Sequence, residues 1–201
     1  MIKDIINIIQ TLFKFQTSDV PVSVPPIVPY KPEPELFVSK QPASITIYDT
    51  PNKRVVSGVR DIKYLIIHST GGSKTSTIEW FKNPEAKASS HYLIDKAGNL
   101  FIFAKDNDIT WHAGVSQWGN EVGLNARSIG IELENLNTGT DQYSDIQISV
   151  ALGLSADLIK KYSIPIDFIL RHLDIAPGRK IDPVNFPWDN FVRSIKNILS
   201  V

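Results

Sequence analysis

The sequence predicts an α/β domain with a mixed central β-sheet flanked by helices. Three observations carry that prediction. Short apolar runs at Tyr64–His68, Ser128–Asn135 and Phe168–His172 read as strands. His91–Asp95 and Leu100–Phe103, joined through Ala97-Gly98-Asn99, read as a hairpin. Residues 140–161 carry apolar side chains at helical spacing and 188–199 read as a closing helix, so strands and helices interleave along the chain.

Taken in order, the chain opens with Ile2, Ile5, Ile6, Ile9, Leu12 and Phe13 on one helical stripe, which predicts an amphipathic helix within residues 1–15. A helix this short is marginal alone and needs something to bury its stripe. Its own domain, a second copy, a protein partner or a membrane surface would each serve, and self-association or a partner through residues 2–13 is the expectation. Residues 16–42 hold seven of the 13 prolines and predict a stiff, extended linker. The domain proper is expected over 43–201. There Ser44–Tyr48 alternates like a strand and Ser76–Phe81 reads as a short helix. Ile146, Val150, Leu154 and Leu158 lie four apart on the 140–161 helix, with Thr140 as its expected cap. The sequence contains no internal repeat.

Composition narrows the function. The 201 residues suffice for one domain with a proper core, and 42% hydrophobic with 21% charged residues is ordinary for a soluble protein. Lysine plus arginine (21) equals aspartate plus glutamate (21), so no overall field draws the chain to nucleic acid. The absence of cysteine removes disulfides, thiolate ligands and thiol nucleophiles. No apolar run is long enough to span a bilayer. Near the N-terminus Asp4, Asn7 and Gln10 interrupt the isoleucines, so no signal peptide is expected and synthesis is expected in the cytoplasm.

The candidate chemistry rests on few residues. His68 closes one predicted strand and His172 another, and Asp182 follows in Arg179-Lys180-Ile181-Asp182-Pro183. Two neutral imidazoles and a carboxylate suit Zn²⁺ and leave a fourth position for water, whose pKa the metal lowers to about 7. Spacing alone does not establish the set, since a lone histidine is more often a hydrogen-bonded core residue. In an extended segment residues two apart point the same way, so Lys180 and Asp182 can face one site. The same alternation puts Glu132 and Glu134 on one face, and pattern does not choose between them.

Four segments occur in order: Tyr64-Leu65-Ile66-Ile67-His68-Ser69-Thr70, Trp111-His112-Ala113-Gly114, Ser128-Ile129-Gly130-Ile131-Glu132-Leu133-Glu134-Asn135, and Arg171 through Pro183. Together they resemble the type 2 N-acetylmuramoyl-L-alanine amidase family, related to peptidoglycan recognition proteins, from about Lys63 to Phe191. The last segment is long and specific, whereas Trp-His-Ala-Gly alone is a weak signal. The resemblance implies one Zn²⁺ held by His68, His172 and Asp182, Glu132 as general base, and Lys180 at the oxyanion. Trp111 and His112 are then expected to line the substrate cleft, with Arg179 at the muramyl part and Asn125 at the peptide stem. His91 matches no ligand position and is expected to support the fold. The implied reaction cuts the amide between N-acetylmuramic acid and L-alanine in peptidoglycan or muropeptides. The proline-rich linker favours a lytic or particle-associated enzyme. The alternatives are a cytoplasmic recycling amidase acting on anhydro-muropeptides, and a binding module that holds peptidoglycan without cutting it; the full ligand set speaks against the latter.

Overall fold

A computed structural model describes residues 34–200, so the helix expected over 1–15 and the first part of the linker lie outside the described residues. The strands are β1 (Ile45–Ile47), β2 (Lys53–Arg54), β3 (Tyr64–Ser69), β4 (Tyr92–Ile94), β5 (Leu100–Ile102), β6 (Ile109–Thr110), β7 (Gln117–Trp118), β8 (Glu121–Val122), β9 (Ser128–Leu133) and β10 (Ile169–Arg171). The described helices are α1 (Lys74–Lys82), α2 (Asp145–Tyr162), α3 (His172–Ile175) and α4 (Trp188–Leu199). The central sheet has the order β1-β5-β4-β9-β3-β10, while β2–β6 and β7–β8 form two small ribbons. Only the β4–β5 hairpin is antiparallel within the central sheet; every other neighbouring pair runs parallel. Gly98 makes the hairpin turn possible. Its φ of 79° suits glycine, and a Cβ there would lie 2.7 Å from Ile146 Cγ1.

Strand alternation divides the core. Leu65 and Ile67 of β3 with Ile129, Ile131 and Leu133 of β9 join the apolar faces of α2 and α4 in the main cluster. Tyr64 and Ile66 face the other way, toward Ala113, Leu124 and Ile175. These central strands are buried on both faces, which is why they read as continuous apolar runs.

Helix boundaries depart from the expectation where polar side chains compete for the backbone. Helix α2 starts at Asp145, and its cap is Ser144, whose Oγ accepts from Gln147 N at 3.2 Å. Residues 138–141 instead turn on themselves, with Thr138 Oγ1 accepting from Asp141 N at 3.2 Å. The most buried part of α2, Ala151 and Leu152, sits beside the expected stripe: Val150 and Leu158 are buried, but Ile146 and Leu154 only partly. Phe168–His172 splits as well. Arg171 N donates to Asp174 Oδ2 at 2.8 Å, which turns the chain so that His172 opens α3 instead of closing β10.

Residues 34–42, which the sequence assigns to the linker, run along the domain. Phe37 packs on the main cluster and its N–H donates to Ser194 Oγ at 2.9 Å, while Lys40 N donates to Ser149 O at 3.0 Å. Asn190 Nδ2 donates to Glu35 O at 2.9 Å. A chain beginning at residue 43 is therefore expected to melt below one beginning at residue 34, by roughly 3–8 °C given partial burial of one aromatic side chain. Thermal unfolding of the two truncations checks this, and equal midpoints would show that these contacts contribute nothing.

Candidate metal and catalytic site

Parallel pairing assembles the site. In the β3–β9 register His68 lies opposite Glu132, and the pairing of Arg171 with Ile67 brings His172 in next beside His68. These residues sit at the carboxyl ends of parallel strands, on the face turned away from α2 and α4, where α/β folds place their ligands. The rings of His68 and His172 have centroids 4.4 Å apart at 73°. Asp182 arrives on the following loop, which Leu173 N ties down by donating to Asp182 O at 3.0 Å. Ser69 N donates to Asp182 Oδ2 at 3.4 Å. Asn137 holds the same corner: its Oδ1 accepts from the Ser69 hydroxyl and, at 3.3 Å, from Val184 N.

His68, His172 and Asp182 are all buried, and one ligand atom from each lies within 4.8 Å of the others. Asp182 Oδ2 is 3.0 Å from His172 Nδ1 and 3.7 Å from His68 Nδ1. Tetrahedral zinc with bonds of about 2.0–2.1 Å sets its ligand atoms roughly 3.3 Å apart, and the two distances straddle that value. His68 Nδ1 is sealed from solvent without a hydrogen-bond partner. An orphaned buried nitrogen beside a carboxylate fits a cation. Burial, aided by His172, lowers the His68 pKa to about 4, so its imidazole is neutral, as a ligand must be. Burial raises the Asp182 carboxyl, but the hydrogen bond with His172 and the nearness of the His68 ring outweigh it and hold the group well below the usual carboxylate range.

The two glutamates separate sharply. The Glu132 carboxyl lines the cleft, with Oε2 buried and unpartnered. Burial pushes it up to about 8; the Asp182 carboxylate adds to the rise and Lys180 opposes it. Glu134 is spent on backbone: Oε1 accepts from Lys74 N at 2.8 Å, at the start of α1, and Oε2 from Lys96 N at 3.1 Å. Lys180 and Asp182 line the same cleft, while Ile181 between them turns outward at 70% exposure.

The cleft holds about 460 Å³. Trp111 and His112 line it; Asn125 and Arg179 do not. Asn125 Oδ1 accepts from Ala113 N at 2.7 Å, and Arg179 Nη2 donates to Ala113 O at 2.9 Å and Val115 O at 2.6 Å. Both are therefore committed to the Trp111–Ser116 loop. His91 is locked in the core, its Nδ1 accepting from Gly130 N at 3.1 Å. Sequence reasoning missed Trp80, Thr77 and Asn137 in the cleft wall. Gly71-Gly72 shortly after His68 signals a loop at the site, but nothing local marks Trp80, which is 53% exposed and lines the same cleft as Trp111.

The raised Glu132 pKa has a stability consequence. A carboxyl whose folded pKa lies near 8, against 4.5 when unfolded, costs stability as pH rises between those values, and the full cost persists above them. In metal-stripped protein Glu132→Gln is expected to raise the melting temperature at pH 9 by roughly 3 °C or more and to change it little at pH 5. Melts at both pH values test this; equal shifts would count against a buried, reluctant carboxylate.

Residues 58–185 match the family described as N-acetylmuramoyl-L-alanine amidase. The amidase AmiD of Escherichia coli is 33% identical over 147 residues, covering 66% of this chain and 52% of AmiD. The 1,6-anhydro-N-acetylmuramyl-L-alanine amidase AmpD of Haemophilus influenzae is 37% identical over 114 residues, covering 56% of this chain and 61% of that protein. The chain thus matches between half and two thirds of the length of these relatives. Among solved structures, a selenomethionine AmpD superposes with a TM-score of 0.66 at 26% identity, covering 80% of this chain and 99% of the other. E. coli AmiD in complex with anhydro-N-acetylmuramic acid-L-Ala-D-γ-Glu-L-Lys gives 0.61 at 31% identity, over 70% of this chain and 60% of AmiD. Sharing both sequence and the mixed α/β fold with these proteins, the chain belongs to the N-acetylmuramoyl-L-alanine amidase family.

Proposed function

We propose that the chain is a zinc-dependent hydrolase of the amide between N-acetylmuramic acid and L-alanine. The observation that carries this reading is the convergence of His68, His172 and Asp182 with Glu132 and Lys180 on one cleft. Zinc bound by the three ligands would polarise the amide carbonyl and lower the pKa of water. Glu132 then takes one proton of the attacking water and hands it to the alanine nitrogen as the C–N bond breaks, leaving a carboxylic acid and an amine. A carboxyl with a raised pKa suits both transfers. The Lys180 side chain, which lines the same cleft, would stabilise the negative charge that develops on the carbonyl oxygen. Trp111 and Trp80, both in the cleft wall, would offer aromatic faces to sugar and peptide.

Two substrate forms are consistent with this chemistry. The proline-rich residues 16–42 suit an enzyme held at a surface while it works on intact wall, in a lytic or particle-associated role. Relatives named for 1,6-anhydro-N-acetylmuramyl-L-alanine support soluble anhydro-muropeptides instead. Mass spectrometry of products from purified sacculi and from soluble muropeptides, with and without chelator, decides between them. Release of free stem peptide from neither would overturn the reading.

The purified protein is expected to hold about one zinc per chain, and His68→Ala and His172→Ala to lose it. Metal analysis reads this out directly, and full occupancy in both variants would exclude these ligands. Glu132→Gln and Lys180→Ala should keep zinc yet lose activity by roughly 10²-fold or more. Glu134→Ala should turn over nearly as wild type but lose about 1–2 kcal/mol of stability, because two backbone N–H groups lose their acceptor. A Glu134 variant that is stable and inactive would reverse the two assignments.

A further inference from the structure

A line of buried polar groups runs behind the ligand cluster, and proton counting along it has one solution. Ser128 Oγ lies 2.7 Å from Leu124 O. A carbonyl only accepts, so the single hydroxyl proton goes there. His112 Nε2 lies 3.1 Å from the same Oγ, which is left to accept, so His112 carries its proton on Nε2. The Nδ1 of a neutral His112 then presents a lone pair to His68 Nε2, 2.9 Å away. Two lone pairs do not face each other at that distance, so His68 is protonated on Nε2. Its Nδ1, the orphaned buried nitrogen beside Asp182, is left with the lone pair a metal needs.

We propose that His112, backed by Ser128, is a positioning residue that locks His68 into its metal-binding tautomer. The proposal rests on the zinc reading above. It gives the Trp-His-Ala-Gly segment a task other than touching substrate.

The surroundings are built for this task. His112 is 7% exposed and Ser128 fully buried, and none of the hydrogen-bond partners of His112 is a carboxylate that would favour a charged ring. A Cβ on Gly130 would lie 2.6 Å from His112 Cγ and 2.7 Å from its Nδ1, so the glycine of the Ser128–Leu133 strand makes room for the ring. The backbone next to His112 is clamped from both sides, by Asn125 on Ala113 N and by Arg179 on Ala113 O. His68 and His112 meet edge to face at 88°, with centroids 5.0 Å apart. Ligating histidines commonly donate their second N–H to a carboxylate, carbonyl or water. Here the acceptor is a second neutral histidine, whose own orientation and tautomer have to be held in turn.

The test reads tautomers and affinity, not turnover. In long-range ¹H–¹⁵N spectra of metal-stripped wild-type protein, His68 and His112 should both be protonated on Nε2. A proton on Nδ1 of His68 in that sample would overturn the proposal. Zinc affinity, measured by competition with a chelator of known strength, should fall roughly 10-fold or more in His112→Phe and in Ser128→Ala. His112→Asn, whose Oδ1 can stand in for Nδ1 as acceptor, should recover most of the loss. Unchanged affinity in both His112→Phe and Ser128→Ala, with native circular dichroism, would also overturn it. Failure of the wild type itself to bind zinc would sink the metal reading instead, and the tautomer spectrum would still judge the relay.

Discussion

The parallel register of β3, β9 and β10 is the constraint on which the rest depends. It sets His68 opposite Glu132 and delivers His172 beside them, three residues far apart in sequence brought to one sheet edge. Because side chains alternate, the same strands that turn His68 and Glu132 toward the cleft turn Ile67, Ile131 and Leu133 into the core under α2 and α4. A one-residue slip in any pair would exchange the two faces, turning core side chains toward the cleft and His68 or Glu132 into the core. Core packing and site geometry are thus enforced by one set of hydrogen bonds.

Around that edge, burial decides what each polar group can do. Glu132 and Glu134 differ by two positions, yet one faces the cleft with an unpartnered oxygen and the other closes the first turn of α1. Desolvation raises the Glu132 pKa, and the backbone amides it lacks are the ones Glu134 receives. Neither outcome belongs to glutamate as a residue type. Each follows from which donors the fold brings near.

Asn125, Arg179 and Asn137 show the effort spent on holding loops still. None is close to His68, His172 or Asp182 in sequence except Arg179, and all three satisfy partly buried backbone groups. A metal site would tolerate little displacement of these side chains, and the loops that carry them or lean on them are tied at several points. The Trp111–Ser116 loop is tied from both sides, and the Asp182 loop is tied to the end of β3 through Asn137 and Ser69.

The sequence by itself determined the mixed α/β class, the apolar strands and the closing helix, because those features are written in local periodicity; His68, His172 and Asp182 stood out as a set only through the resemblance of their motifs to the amidase family. It also carried Lys180 and Asp182 to one side, since an extended segment fixes that relation without help from the rest of the chain. The cap of α2 and the helical start at His172 were not legible, because Ser144 and Asp174 win a competition among several nearby side chains that differ little in type. Trp80 in the cleft wall, Arg179 and Asn125 beneath the loop, and the His68–His112–Ser128 line were decided only by the tertiary structure. Each depends on groups distant in sequence meeting at hydrogen-bond or van der Waals distance, and no local pattern encodes which donors and acceptors long-range packing will bring together.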